Sequence, residues 1–231
     1  MRDAVIIPID DGKSLVITTD NSGAIGMKEE DFVQVAYDIV GYFSFRVAMM
    51  ECLATGAIPL AVVIHNLCGE KEWHELVSGV QKGLKELGME NVQVTGSTES
   101  NFPLIQSVVG INVIGLQSNN GGTREANKGR IALIGLPLVG DEVLAHPESV
   151  APLSVFYQIS LLENVRVWPV GSKGVGHELQ RVKPELFEEI SSDGIDLYKS
   201  GGPATSFLVI YPREKEKEIR DLSGKYFHDL I

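Results

Sequence analysis

Three separated stretches carry the side chains best suited to hold a cation and a phosphorylated ligand. Asp20 heads the run Asp20-Asn21-Ser22-Gly23 at the end of an apolar segment. Its carboxylate oxygens suit a hard cation, and the small residues after it let backbone amides approach phosphate oxygens. The same run is also satisfied as an Asx turn. Glu51 lies in an apolar helical segment, where a carboxylate is costly to bury unless paired or metal-bound. Arg46, five residues earlier, is about 140° round the helix and does not share its face. A structural ion pair and a metal role both remain open for Glu51. For Arg46 the choice is between a structural salt bridge and stabilisation of transition-state charge. The third stretch, Thr95-Gly96-Ser97-Thr98-Glu99-Ser100-Asn101, is denser in hydrogen-bonding groups than a plain connection needs. It suits phosphate oxygens or magnesium-bound waters, or serves as a polar link between strands.

Other candidates lack context. Gly121-Gly122 and the Ser172, Gly174, Gly176 run do not sit in a strand–GxGxxG–helix frame, and no Walker lysine follows a glycine loop. The five histidines, 65, 74, 146, 177 and 228, form no ligand pair, and Cys52 and Cys68 fit no common zinc spacing. His65-Asn66 follows a strand end and either faces a pocket or closes a turn.

Periodicity supplies the elements that must position these residues. Strands are expected at 4–7 and 14–19 around the Asp10–Gly12 turn, with residues 19–26 as a loop. A buried helix follows at 38–55, with Asp38 as N-cap and Gly56 as stop. Leu60–Ile64 reads as a strand. The span 72–87 reads as an amphipathic helix ending at Gly88. Val92–Val94 and Ser107–Leu116 read as further strands. The polar stretch 118–129 is the expected linker. Beyond it come strands at 131–136, 165–170 and 206–211, helices at 139–145, 151–162 and 184–191, and a charged helix at 213–229. This alternation of strands and helices argues for an α/β or α+β domain over 1–117, followed after the linker by a second domain over 130–231.

With 231 residues, 44% of them apolar, the chain can build a core without disulfides. Its net charge of −11 opposes general nucleic-acid binding and docking on anionic membranes. No run reaches the roughly 18 apolar residues of a spanning helix, and a reducing cytoplasm is the expected compartment.

Taken in order, Asp20-Asn21-Ser22-Gly23, Gly41, Glu51, Ala54, Gly56-Ala57, Pro59 and Gly96-Ser97-Thr98 resemble the N-terminal half of the aminoimidazole ribonucleotide synthetase superfamily, the PurM-like fold. Its relatives include thiamine-monophosphate kinase, selenophosphate synthetase, formylglycinamidine synthetase and a hydrogenase maturation factor. The family shows an aspartate after a strand, a helix ending in a pattern like Asn-Asp-x-x-x-x-Gly-Ala-x-Pro, and a Gly-Gly-Asp-Thr turn. Here the helix reads Met50-Glu51-Cys52-Leu53-Ala54-Thr55-Gly56-Ala57-Ile58-Pro59. Lys128–Gly135 and Ser200-Gly201-Gly202-Pro203 are similar to later family features.

The resemblance implies an α+β fold, with an N-terminal mixed sheet over 1–117 that carries helices on one face and a smaller α/β C-terminal domain over 130–231. It also implies ATP and magnesium as ligands and a homodimer formed through the N-terminal domain. By position it implies metal ligation by Asp20, Glu51 and Glu99 and a catalytic role for Asp20, and Arg46 is the candidate within that reading for transition-state charge. Nucleotide binding would fall to Asp20, Asn21, Ser22, Gly96, Ser97, Thr98, Glu99 and Ser100. Glu51 replaces the family's helix aspartate and Ser97 its turn aspartate, with Glu99 as the compensating carboxylate. The Asp20–Gly26 and Thr95–Asn101 segments look most like the branch proposed as α-ribazole kinases of cobalamin salvage. The implied activity is an ATP-dependent kinase on a small nucleoside or vitamin precursor. Two alternatives stand beside it. One is a synthetase that activates a carbonyl or amide oxygen by phosphorylation. The other is a non-catalytic nucleotide-binding protein, which the loss of the aspartate at Ser97 favours.

Overall fold

The protein's structure is a computed structural model that describes residues 4–118, 129–185 and 194–230. The chain divides into two compact units, Met1–Gly121 and Gly122–Ile231. The expected linker straddles this division. Apart from Ser118 and Gly129 it lies outside the described residues, as does most of the helix expected at 184–191.

The first unit is built on five strands: β1 (Ala4–Pro8), β2 (Lys13–Gly23), β5 (Ile58–Asn66), β6 (Gln93–Thr98) and β7 (Val108–Ser118), in the order β1-β2-β7-β5-β6. β5 and β6 are parallel and the other neighbours antiparallel, so the sheet is mixed. Two short segments, β3 (Ile25–Gly26) and β4 (Val33–Gln34), pair beside it. Helices α1 (Tyr37–Ala54) and α2 (Trp73–Glu86) complete the unit.

α1 is apolar nearly all round because it packs on two elements at once. Toward the sheet, the Thr18 hydroxyl donates to the Ala48 carbonyl at 2.7 Å. Toward α2, a Cβ added at Gly79 would stand 2.0 Å from the Asp38 carbonyl oxygen, and one at Gly41 would stand 2.4 Å from that of Leu76. The two helices cross so closely that only glycine fits at the contact. α2 is amphipathic as its 3.6 period requires, burying Leu76, Gly79, Val80, Gly83 and Leu84.

Several boundaries differ from the sequence reading. The residue before α1 is Ala36, with no side-chain cap. Asp38 sits in the first turn, where it still complements the helix dipole. Gly56 takes φ +80°, the left-handed stop that its position suggested. The run 20–23 is strand, not loop, because β2 continues in register against Ile111, Gly110, Val109 and Val108 of β7. β6 likewise extends to Thr98 by parallel pairing with β5.

The second face of the sheet carries two apolar rows. One is Ile7, Leu15, Leu116 and Ile58; the other is Val5, Ile17, Ile114 and Ala61. Val5, Ile7 and Ile58 on it are exposed, Ile58 by 70%.

The second unit is an antiparallel sheet in the order β11-β8-β10-β9. Its strands are β8 (Arg130–Ile134), β9 (Arg166–Pro169), β10 (Phe207–Tyr211) and β11 (Phe227–Asp229). Its helices are α3 (Asp141–Ala145), α4 (Leu153–Ser160), α5 (Gly174–Val182) and α6 (Glu216–Ser223). β10 is buried at every residue, which is why it reads as an uninterrupted apolar run. Phe207 packs edge-on against Phe156 of α4 at 4.9 Å, and Ile131, Leu133, Trp168, Val175, Leu179, Leu208 and Leu230 form a continuous core. Two expectations are corrected here. The glycine run at 172–176 opens a helix, α5. The charged C-terminal segment is not one helix: Gly224 (φ +52°) ends α6, and 227–229 adds an edge strand beside β8. Arg130 anchors that edge by bonding Glu216 at 3.0 Å and Asp229 at 3.1 Å. Among the described residues no helix is long and apolar enough to cross a membrane.

Candidate functional site

Strand register brings two of the three sequence stretches to one end of the first sheet. Asp20, Ile111, Ile64 and Gly96 form a single row across β2, β7, β5 and β6. The next rows are Asn21, Gly110, His65, Ser97 and then Ser22, Val109, Asn66, Thr98. Neighbouring strands lie about 4.8 Å apart, so Asp20 and Gly96 are roughly 14 Å apart along their row. Side chains alternate faces. Asp20 and Ser22 therefore face the helices with Val16 and Thr18, whereas Asn21 and Ser97 face the open side with His65. On that side His65 Nε2 meets Asn112 Nδ2 at 3.0 Å.

Asp20 is the most perturbed acid of the site. Burial beneath the helices pushes its carboxyl from 3.8 to about 7, against a lowering hydrogen bond from the Asn21 backbone. A carboxylate held this far above its ordinary range becomes favourable in its charged form once a cation arrives.

Glu51 does not join it. α1 runs opposite to β2: Tyr37 bonds Ser107 beyond the Gly23 end of the strand, Ala48 meets Thr18, and Cys52 packs at Gly115 beside Val16. From the Thr18 contact, Asp20 lies about 7 Å along the strand one way. Glu51 lies about 4.5 Å along the helix the other way. Glu99 is also elsewhere. Its Oε1 accepts the Asn101 and Phe102 amides at 2.6 and 3.2 Å, and these bonds hold its carboxyl below the usual range. Among the described residues no three His, Cys, Asp or Glu side chains converge on a metal position. The expected trio Asp20, Glu51 and Glu99 is thus not brought together among the described residues of the chain.

Arg46 is fully buried in α1, one turn from Tyr42. Burial raises the Tyr42 hydroxyl to about 12, with the Arg46 charge opposing and the Glu86 charge adding to the rise. The hydroxyl bonds Glu86 of α2 at 2.7 Å. The guanidinium hydrogen-bonds the Tyr42 hydroxyl and takes part in this helix–helix contact.

The organiser of the site is Asn66, fully buried at the end of β5. Its Nδ2 donates to the Gly69 carbonyl at 2.7 Å and to Thr98 Oγ1 at 3.1 Å. Its Oδ1 accepts the Cys68 amide at 2.9 Å, and its carbonyl accepts the Glu99 amide at 2.8 Å. One side chain therefore ties the loop after β5 to the turn after β6. Gly96 is required by packing, since a Cβ there would stand 2.1 Å from the Ile64 carbonyl oxygen and 2.8 Å from the Trp73 ring.

A second organiser is Asp31, in the acidic run Glu29-Glu30-Asp31, where no motif marks it. It is buried. It accepts the Ser107 hydroxyl at 2.6 Å, the Ser107 amide at 2.7 Å and the Lys28 amide at 2.9 Å. Burial raises its carboxyl, but these bonds together outweigh burial and leave it below its ordinary value. Lys28 Nζ donates to the Leu104 carbonyl at 2.7 Å. Loops 27–32, 67–72 and 99–105 thereby enclose a cavity of about 780 Å³ at the end of the parallel strand pair. The cavity volume suits a small molecule. Glu99 and Ser100 line it, so the polar turn of β6 borders the cavity.

Residues 1–117 match the family described as AIR synthase related protein, N-terminal domain, and the chain belongs to that family. No curated protein sequence matches it. Among solved structures it is similar to hydrogenase maturation protein HypE in complex with ATP, at a TM-score of 0.62 and 12% identity over 94% of this chain and 75% of that one. It is similar to T. maritima PurL complexed with AMPPCP, at 0.62 and 13% over 98% of this chain and 42% of that one. It is also similar to thiamine monophosphate kinase from Aquifex aeolicus, at 0.62 and 14% over 100% of this chain and 88% of that one. These likenesses establish the PurM-like fold.

Proposed function

We propose that this protein is an ATP- and magnesium-dependent phosphotransferase acting on a small nucleoside, with α-ribazole of cobalamin salvage as the leading acceptor. The carrying observation is the row that aligns Asp20 with Gly96 at the sheet end where Glu99 and Ser100 line a cavity of small-molecule size, in a chain of this family. Structural relatives solved with ATP or its analogue support the nucleotide.

Magnesium, when bound, neutralises charge on the transferring phosphate. Asp20 holds the negative charge that draws it in. Thr98, on the same side of the sheet as Asp20, and Ser100 offer hydroxyls that orient phosphate oxygens. The acceptor hydroxyl oxygen bonds to the γ-phosphorus as the bridging oxygen leaves with its electron pair on ADP, and the hydroxyl proton passes to water. The apolar rows on the open sheet face favour a second copy of the chain as partner, because two such faces bury one another.

The test is incubation with magnesium-ATP and α-ribazole, followed by separation of the nucleoside from its 5′-phosphate. Phosphate ester formed only with both substrates and magnesium supports the kinase. A second reading, nucleotide binding without turnover, is favoured by Ser97 in place of the family's aspartate. ATP bound with no ester formed from any nucleoside supports that reading. A synthetase would instead release ADP with a carbonyl or amide substrate.

A further inference from the structure

We propose that the cavity among loops 27–32, 67–72 and 99–105 is the acceptor site, and that it selects an uncharged aromatic nucleoside over its phosphate ester. This deepens the kinase reading and rests on it. Three observations converge.

The first is charge. Four glutamates (29, 70, 72 and 99) line the cavity against two lysines, 28 and 71. Lys28 is committed to the Leu104 carbonyl at 2.7 Å. Glu99 is held ionised by the Asn101 and Phe102 amides. A dianionic ester entering here meets excess like charge with one uncommitted cation, whereas a neutral nucleoside meets no such barrier.

The second is apolar surface. Phe102 and Ile105 line the cavity yet are 76% and 77% exposed. Leu67 and Pro103 add apolar walls. An aromatic ring exposed on a cavity rim offers a flat face on which a heterocycle stacks.

The third is rigidity. The loop that carries Phe102 is pinned at both ends: Glu99 caps its first amides, and Asp31 and Lys28 hold Ser107 and Leu104. The rim is thus organised before a ligand arrives. Ser100, on the same turn, sets the ribose hydroxyl next to the residues proposed for the phosphates.

The experiment is calorimetric titration of the full chain with α-ribazole, with adenosine, and with the 5′-phosphate of each, alongside a separate magnesium-ATP titration. One nucleoside should bind at least about tenfold more tightly than its own phosphate ester. Phe102→Ala should weaken that nucleoside at least about tenfold, a change of 1.4 kcal/mol. Its melting midpoint should match the parent, because the removed ring is exposed. A phosphate ester that binds as well as its nucleoside overturns the proposal, as does nucleoside affinity unmoved by Phe102→Ala. Magnesium-ATP bound while neither nucleoside binds overturns the cavity assignment and leaves the nucleotide reading standing. Nucleoside bound and Phe102-dependent, with no magnesium-ATP binding, does the reverse.

Discussion

Asp20 offers the sharpest test, because one substitution separates its cost to folding from its use in binding. The carboxyl rests at about 7 in the folded chain against 3.8 ordinarily. Between those values the folded state binds more protons than the unfolded one. Stability therefore falls as pH rises above 3.8, and the loss is complete just beyond 7. Three pKa units correspond to about 4 kcal/mol, and roughly 2.5 kcal/mol of this falls between pH 5 and 8. Asp20→Asn removes the ionisation and keeps the shape. The variant should match the parent in acid and exceed it at pH 8 by several kcal/mol. That is a rise of about 10 °C in melting temperature for a chain of this size. Urea denaturation at pH 5, 6.5 and 8 measures the divergence. Magnesium-ATP affinity should behave oppositely, strengthening in the parent as pH rises through 7 and vanishing in Asp20→Asn. A parent and variant whose stabilities run parallel from pH 5 to 8 would refute the buried-carboxylate argument, and undiminished magnesium-ATP binding by the variant would refute the site.

Four further outcomes follow from the same geometry. Gly79→Ala places a methyl 2.0 Å from the Asp38 carbonyl oxygen and 2.6 Å from the Tyr42 amide nitrogen. With backbone on both sides the helices must part, so a loss of about 3 kcal/mol in denaturant titration is expected. Thr18→Val removes the bond to the Ala48 carbonyl at near-constant volume and should cost about 1 kcal/mol by the same measurement. Asp31→Asn should lower stability by about 2 kcal/mol at neutral pH, with the difference closing as pH falls through the depressed Asp31 value, where the parent too is protonated. Ile58→Asp, on the open apolar face, should convert a dimer to monomers in sedimentation equilibrium; a parent already monomeric at micromolar concentration would remove the proposed interface.

The elements were largely legible because their signals are local. The 3.6 period of Leu76, Val80 and Leu84, the stop at Gly56 and the apolar run of β10 each follow from burial on a known face or from one backbone angle. Boundaries failed where pairing partners distant in sequence decided them. Asp20-Asn21-Ser22-Gly23 has turn composition, yet β7 supplies a continuous ladder and holds it as strand. The C-terminal segment has helical charge spacing, yet β8 offers an open edge that takes residues 227–229.

The chemistry divides in the same way. The sequence by itself determined the family, the mixed character of the chain, and which residue types could meet phosphate and magnesium, because these rest on side-chain identity and order. Tertiary structure decided which of them meet. Register put Asp20 and Gly96 in one row, while the opposed directions of α1 and β2 carried Glu51 away from Asp20, and α2 brought Glu86 to the Tyr42 hydroxyl. The roles of Asn66 and Asp31, and the cavity they frame, exist only through hydrogen bonds that span up to 76 residues of chain, and no local pattern encodes such bonds.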